Sequence, residues 1–240
     1  MSQSTALTAA AARPVEGVLW MLATSFCFVG VTGIVRYLGT ELPAAQSAFL
    51  RYAIGVVFLM PTLARALPGG FTNVIWRTFA ARGLFHTVAV VLWFYAMARI
   101  PVAEVTAIGY LNPVLVTLGA ALFFGERLAF RRIAAVGVAI VGALIVLRPG
   151  LREVTDGHLA QVTAAFLFAG SYLFAKRLGE VAGPGAVVAM LSLTVAVGLA
   201  PLAWWVWVPV SAVQMGWLAV VAALATVAHY CMMRAFAAAP

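Results

Sequence analysis

The sequence predicts an all-α protein that crosses a membrane several times, and three features support this fold class. Of the 240 residues, 65% are hydrophobic, only 15 are Lys or Arg and only 7 are Asp or Glu. A soluble domain has about 25% charged residues. Long apolar runs recur along the chain, and a segment near the N-terminus is repeated in the second half. This composition excludes a soluble globular enzyme, a disordered tail and a collagen-like fibre.

Eight apolar runs are candidate transmembrane helices, each of which needs about 20 residues to cross the hydrocarbon core. They cover residues 17–36, 44–64, 78–99, 102–124, 131–148, 158–176, 185–207 and 213–234. The last two come from one uncharged stretch, which we divide near Pro209 because proline discourages helix continuation and tryptophans cluster there. A β-barrel would need alternating strands of about ten residues, so the continuous apolar runs favour helices.

The basic residues predict the orientation, because cytoplasmic loops of membrane proteins carry an excess of Lys and Arg. A cytoplasmic N-terminus places ten basic residues on the inner side and four on the outer side. The inner set is Arg13, Arg65, Arg77, Arg82, Arg127, Arg131, Arg132, Lys176, Arg177 and Arg234. The outer set is Arg36, Arg99, Arg148 and Arg152. We therefore interpret residues 1–16 as a cytoplasmic segment, and the positive charge as loop charge rather than a nucleic-acid surface.

The internal repeat links Gly17–Gly39 to Gly157–Gly179 at a constant offset of 140 residues. A second match, at an offset of 139, relates residues 96–101 to residues 235–240. The repeating unit then holds five spans, and an odd number means that the second copy enters from the opposite side of the membrane. Inverted repeats of this kind are typical of secondary transporters. We expect a first repeat of five helices over residues 17–150 and a second, inverted repeat of three helices over residues 157–240.

The stretch 82–149 also resembles the EamA family of the drug/metabolite transporter superfamily. The resemblance rests on these landmarks: Phe94-Tyr95-Ala96, Ile100-Pro101, Glu104, Asn112-Pro113, Gly125-Glu126-Arg127 and, in the second span, Phe49-Leu50-Arg51-Tyr52. It implies a ten-helix carrier that moves small metabolites by alternating access. The implied substrates are amino-acid-like, nucleoside- or cofactor-like, or vitamin-like. Since Pro240 matches Pro101, nothing corresponds to residues 102–149, and we expect the second repeat to lack two helices through truncation or divergence.

Ionisable residues inside the predicted spans are candidates for the substrate pathway. A guanidinium within a membrane is costly, so Arg51 indicates a functional site. The alternatives are a side chain that snorkels to the outer interface and a structural pair with Glu41 or Glu104. His86 and His229 would carry protons, bind an anionic group or form structural hydrogen bonds. Glu104 is a candidate coupling or gating carboxylate, although a charge that complements the helix dipole is the alternative.

Other pathway candidates come from the break in the fourth span and from aromatic residues. Pro113 removes a backbone donor within this span, so we expect the helix to break there and Asn112 to face a cavity or a packed neighbour. The aromatic candidates are Trp93, Tyr95, Tyr110, Tyr172 and Tyr230. For each of these, packing against lipid is the alternative.

The function class follows partly from motifs that the sequence lacks. It contains no G-x-x-x-x-G-K-[ST], H-E-x-x-H or G-x-S-x-G motif, and its two cysteines lie within apolar runs. We predict a secondary active transporter of the inner or plasma membrane, without cofactor or metal, whose partners are a small-molecule substrate and the lipid bilayer. A membrane-embedded enzyme and a channel are the alternatives. The small residues Ala135, Ala139 and Ala143 favour internal helix packing, with a homodimer face as the alternative.

Overall fold

The computed structural model describes residues 13–67, 70–125, 130–147 and 153–238. This described part forms nine helical segments joined by short connections. They are α1 (Pro14–Leu38), α2 (Ala44–Ala66), α3 (Asn73–Arg99), α4 (Val102–Gly109), α5 (Leu111–Phe124), α6 (Phe130–Leu147), α7 (Asp156–Gly179), α8 (Pro184–Trp205) and α9 (Ala212–Ala238).

Seven spans in the described residues are long and apolar enough to cross a membrane, with α4 and the apolar part of α5 counted as one span, Val102–Phe123. The eighth predicted span corresponds to α6, whose apolar part Ile133–Gly142 is shorter. The all-α, multi-spanning fold class is therefore confirmed. Its outer surface is apolar as well: Phe26 is 76% exposed and Trp205 is 89% exposed, which suits a hydrocarbon or interfacial environment.

Local sequence signals explain where several helices begin and end. Helix α1 starts at Pro14, whose fixed φ suits the first helical position. It stops before Gly39, where a φ of 67° favours a residue without a Cβ. Helix α3 begins after Thr72, whose hydroxyl accepts a hydrogen bond from the backbone N–H of Ile75.

The fourth predicted span is interrupted at Tyr110. Helix α4 ends at Gly109 and α5 starts at Leu111. Pro113 accounts for the interruption, because a proline ring collides with the carbonyl group four residues earlier, which here belongs to Gly109. The interruption lies beside the cavity described below, which Tyr110 lines.

Three helix pairs form the framework of the bundle: α1 packs on α9, α2 on α8, and α3 on α7. Helices α4 and α5 pack on the opposite side of α7, and α6 packs on them. Glycines permit close approach: a Cβ on Gly83 would meet Thr194 at 2.6 Å, and one on Gly170 would meet Phe85 at 2.7 Å. The bundle is thus held by direct contact between helices from the two halves of the sequence.

The helix ends define the two sides of the bundle. The backbone N–H of Arg13 donates to the carbonyl of Ala238 at 2.8 Å, so α1 begins where α9 ends. At the opposite side, Arg36 donates to the carbonyl of Ala98 at 2.7 Å, which joins the ends of α1 and α3. The start of α1 and the end of α9 therefore share one side, as an even number of crossings requires.

Some sequence-based interpretations fall partly outside the described residues. Ala135 is exposed and Ala139 is half-buried, so neighbouring helices cover only part of the small-residue stripe. Of the residues that these interpretations use, those outside the described part are residues 1–12, Glu126 and Arg127, residues 148–152 and residues 239–240, together with the side chains of Arg131, Arg132 and Ala143.

Candidate substrate cavity

A cavity of about 230 Å³ lies between helices from both halves of the sequence. Helices α1 to α5 contribute from the first half, and α7 and α9 contribute from the second. The pathway candidates that line it are Arg51, His86, Trp93, Tyr110, Asn112, Tyr172 and His229, and Pro113 lines it as well. The structure thus brings most of the sequence candidates to one place.

Two aromatic candidates lie elsewhere. Tyr95 lines a separate cleft between α1 and α3 with Arg99, whose guanidinium lies 3.6 Å from the centre of the Tyr95 ring. Tyr230 is 40% exposed on α9. Helix periodicity explains the first case, because Tyr95 is two residues from Trp93 and so projects about 200° away from it.

Arg51 is the charged residue of the cavity wall. It is 4% exposed, its guanidinium lies 3.7 Å from the centre of the Tyr52 ring, and its Nη1 has no hydrogen-bond partner. The carboxylate of Glu41 instead accepts from Gln214, and that of Glu104 meets His158. Within the described residues, neither expected ion pair of Arg51 is found. The sequence could not show this, because both carboxylates have partners that are distant in the chain.

The two histidines lie side by side, with ring centres 5.5 Å apart. His86 Nδ1 lies 3.0 Å from the hydroxyl oxygen of Ser171. His229 Nδ1 lies 2.7 Å from the carbonyl oxygen of Ala225. Since a carbonyl only accepts, Nδ1 of His229 donates, and Nε2 of the neutral ring is an acceptor. This Nε2 atom is buried and has no partner.

Aromatic rings form one wall of the cavity. Phe168 and Tyr172 are stacked, with ring centres 5.9 Å apart and planes 9° apart. Trp93 meets Phe168 edge-on at 5.8 Å and Phe28 edge-on at 5.9 Å. These distances lie in the range in which aromatic rings attract one another. The wall therefore presents several ring faces and edges in a preformed arrangement.

Two amide side chains add polar groups to the apolar lining. Gln161 donates through Nε2 to the carbonyl of Val105 at 3.1 Å, which leaves Oε1 buried and without a partner. Asn112 Oδ1 is likewise buried and unpartnered. A buried acceptor without a donor costs free energy, so both atoms are suited to a bound molecule or to water.

Sequence reasoning missed several residues of the lining. Thr24, Phe28 and Thr32 follow one another at intervals of four on α1, and Gln161 and Phe168 lie seven apart on α7. Residues spaced by four or seven share one face of a helix. A search for Thr and Gln inside the apolar runs, extended to aromatic residues four or seven positions away, would have found them.

Glu104 is buried but does not line the cavity. Its Oε2 lies 2.8 Å from Nε2 of His158, near the start of α7. The contact joins the beginning of α4 to the beginning of α7. No group of three or more potential metal ligands is found in the part of the chain that the structure describes.

The fold and the cavity define a class: a multi-spanning membrane protein in which helices from both halves of the sequence line a cavity with polar and aromatic residues. Residues 15–148 match the EamA-like transporter family, and the chain belongs to this family. A known crystal structure superposes with a TM-score of 0.67 at 22% sequence identity, covering 95% of this chain and 80% of that chain. The fold is therefore shared with a solved protein.

Curated relatives bear the names of transporters. A riboflavin transporter of Rhizobium johnstonii is 30% identical over 190 residues, which is 78% of this chain and 63% of the relative. The pseudopaline exporter CntI of Pseudomonas aeruginosa is 32% identical over 134 residues, or 56% of this chain and 47% of the exporter. An S-adenosylmethionine uptake transporter of Rickettsia felis is 22% identical over 228 residues, or 92% of this chain and 75% of that transporter. The match thus spans less than two thirds of the riboflavin transporter.

Proposed function

We propose that this protein is a secondary active transporter that carries a small metabolite across the plasma membrane by alternating access. The observation that carries the proposal is the cavity itself, which helices from both halves of the chain line and which includes residues with buried polar atoms that have no partner among the described residues. Cavities between two structural repeats are the usual substrate sites of secondary transporters. The transporter names of the relatives support the same function over that of a membrane-embedded enzyme.

The packing of the helices supports the proposed inverted repeats, residues 17–150 and 157–240. In that scheme α1, α2 and α3 correspond to α7, α8 and α9. If each helix is replaced by its counterpart in the other repeat, the α1–α9 pair becomes the α7–α3 pair, and the α2–α8 pair maps onto itself. All three pairs are in contact. The framework pairs therefore follow a pseudo-two-fold relation. Rocking of one repeat against the other about this axis would expose the cavity to each side in turn.

The orientation that we propose places the N-terminus in the cytoplasm. Its basis is the distribution of basic residues in the sequence. The shared side of Arg13 and Ala238 is compatible with it. In this orientation the contact between Glu104 and His158 lies at the outer end of the bundle.

Coupling is proposed at two places. The Glu104–His158 contact links α4 to α7, which lie in different repeats, so its loss would allow the outer ends to separate. His86 and His229 line the cavity and are suited to exchange a proton with a substrate or to hold it. Glu104 thus has a gating role at a distance from the substrate, whereas the histidines act within the cavity.

The experiment is transport into proteoliposomes with riboflavin and S-adenosylmethionine as radiolabelled test substrates. A carrier gives saturable uptake and accelerated exchange when unlabelled substrate is inside the vesicle. Arg51→Gln removes a guanidinium that can donate to the ring carbonyls of riboflavin or to the carboxylate of S-adenosylmethionine, and should lower exchange at least tenfold. Arg99→Gln serves as the matched control, because Arg99 is exposed and lies outside the cavity.

Three results would contradict the proposal. Uptake proportional to concentration without exchange would indicate a channel. Chemical conversion of a test substrate by the purified protein would indicate an enzyme. Equal loss of exchange in the Arg51 and Arg99 variants would show that the cavity is not the transport site.

A further inference from the structure

The described residues that line the cavity carry formal charge of only one sign, which is positive. Arg51 is the only Lys, Arg, Asp or Glu among the described residues that line it. Its guanidinium is almost fully buried and its Nη1 lacks a partner. A buried charge is stabilised by an opposite charge at hydrogen-bond distance, and a guanidinium matches a carboxylate well. The cavity therefore favours an anionic group beside Arg51 and disfavours a cation.

The shape of the wall favours a flat ligand. The rings of Phe168 and Tyr172 are nearly parallel, and the ring of Trp93 stands almost perpendicular to that of Phe168, with an interplanar angle of 85°. A planar ring can stack on one of these faces and meet the edge of another. A puckered or branched aliphatic molecule gains less from the same surfaces.

The buried acceptors without partners indicate which hydrogen-bonding groups the ligand carries. Asn112 Oδ1, Gln161 Oε1 and His229 Nε2 are all buried without donors. All three residues line the cavity together with Arg51. A complementary ligand therefore carries N–H donors on its ring in addition to the anionic group. A purely hydrocarbon acid would leave these acceptors unsatisfied.

We propose that the cavity binds planar heteroaromatic carboxylates, in which a flat ring with N–H donors contacts the aromatic wall and the carboxylate meets Arg51. The inference deepens the proposed transport function and rests on it, because it takes this cavity as the cargo site. Asn112, Gln161 and His229 accept hydrogen bonds from the ring. The Arg51 charge selects anionic ligands over neutral ones of the same shape.

The test is equilibrium binding to the purified full chain in lipid nanodiscs, by dialysis with radiolabelled ligands. Orotate is planar, carries ring N–H donors and is anionic; its methyl ester keeps the ring and loses the charge. L-dihydroorotate keeps the charge and loses the planar ring. We expect orotate to bind at least tenfold more tightly than either analogue, and pterin-6-carboxylate, a larger ligand of the same class, to compete with it.

Variants assign the binding to the cavity. Arg51→Gln should abolish the preference for orotate over its ester, Arg51→Lys should restore part of it, and Arg99→Gln should leave it unchanged. Thermal unfolding of each variant without ligand checks that it is folded. If Arg51→Gln does not fold, Trp93→Leu provides a second variant, which should reduce the preference for orotate over L-dihydroorotate.

Several outcomes would overturn the inference. They are binding of neither orotate nor pterin-6-carboxylate, equal binding of orotate and either analogue, and an unchanged preference in a folded Arg51→Gln variant. Transport is measured separately. Exchange of riboflavin without binding of the carboxylates leaves the carrier function standing and refutes the ligand class. Selective binding of the carboxylates without exchange of any solute supports the ligand class and refutes the carrier function.

Discussion

Helices α1 and α7 resemble each other in sequence, yet they differ in how much of their surface the bundle covers. In the most apolar window of each helix, 22% of the α1 residues and 44% of the α7 residues are buried. The difference lies on one face. Gln161 of α7 is 2% exposed, whereas its sequence counterpart Met21 on α1 is 39% exposed; Ala169 is 4% exposed, and its counterpart Val29 is 50% exposed.

The neighbours of the two helices explain this contrast. Helices α4 and α5 pack on α7, and Gly119 of α5 approaches Leu173 so closely that a Cβ would lie 2.6 Å from its Cδ1. Gly33, the counterpart of Leu173 on α1, meets nothing within 4 Å of an added Cβ. Met21 and Val29 are exposed where they line the cavity. One sequence pattern therefore supplies a covered face in α7 and an exposed face in α1.

The largest expected effect concerns the most tightly packed position of that face. Ala165 is fully buried, and its counterpart Ser25 on α1 is exposed to the cavity. Ala165→Leu should lower the free energy of unfolding by about 1–3 kcal/mol through overpacking, and Ser25→Leu by less than about 0.5 kcal/mol. Thermal unfolding in detergent measures both variants. Equal losses would show that the two faces are packed alike.

The contacts that a glutamate makes near the start of α7 and near the start of α1 provide a second comparison. Glu104 is buried against His158 of α7, whereas Glu16 on α1 is partly exposed and lies 3.9 Å from Arg234. Glu104→Gln should cost about 1–2 kcal/mol because it weakens a buried charge-assisted hydrogen bond. Glu16→Gln should cost less than about 1 kcal/mol. A larger loss in Glu16→Gln would contradict the assignment of the main anchor to α7.

A smaller effect is expected from exchanging the side chains at one matched pair. Gln161→Met removes the hydrogen bond to Val105 and should cost about 1 kcal/mol. Met21→Gln places an amide on an exposed wall and should be nearly neutral for stability. Chemical unfolding in mild detergent provides the measurement. A destabilised Met21→Gln variant would mean that other helices cover the face of α1 that carries Met21.

The smallest effect concerns the opposite faces, where the two helices are more alike. A Cβ at Gly170 on α7 would meet Phe85 at 2.7 Å, and one at its counterpart Gly30 on α1 would meet Leu224 at 3.2 Å. Alanine gains roughly 1 kcal/mol of helix propensity over glycine. We expect Gly170→Ala to lose about 0.5 kcal/mol net and Gly30→Ala to be neutral or slightly stabilising. A stabilised Gly170→Ala variant would contradict the close α3–α7 contact.

The fold was more predictable from the sequence than the site. Apolar length defined the spans, and the proline at 113 indicated a break, because both signals are local. The unequal burial of α1 and α7 depends on which helices pack against them, and their own sequences do not contain that information. For the same reason, it could not be foreseen that Arg51 has no acidic partner among the described residues.

Within the cavity, side-chain chemistry predicts the lining only where helix phase agrees with it. His86 and Trp93 lie seven residues apart and share a face, so both reach the cavity. Tyr95 has a suitable side chain, but its position on α3 turns it to the cleft beside Arg99. Thr24 and Thr32 give little signal in the sequence, because single threonines in an apolar run are common.

The interruption at Tyr110 has a mechanical consequence. Its φ of −66° is helical and its ψ of −8° is not, so the interruption between α4 and α5 is one residue long. Helix α4 carries Glu104, and α5 places Gly119 against Leu173. A modest rotation at Tyr110 would shift the beginning of α4 while α5 stays packed on α7.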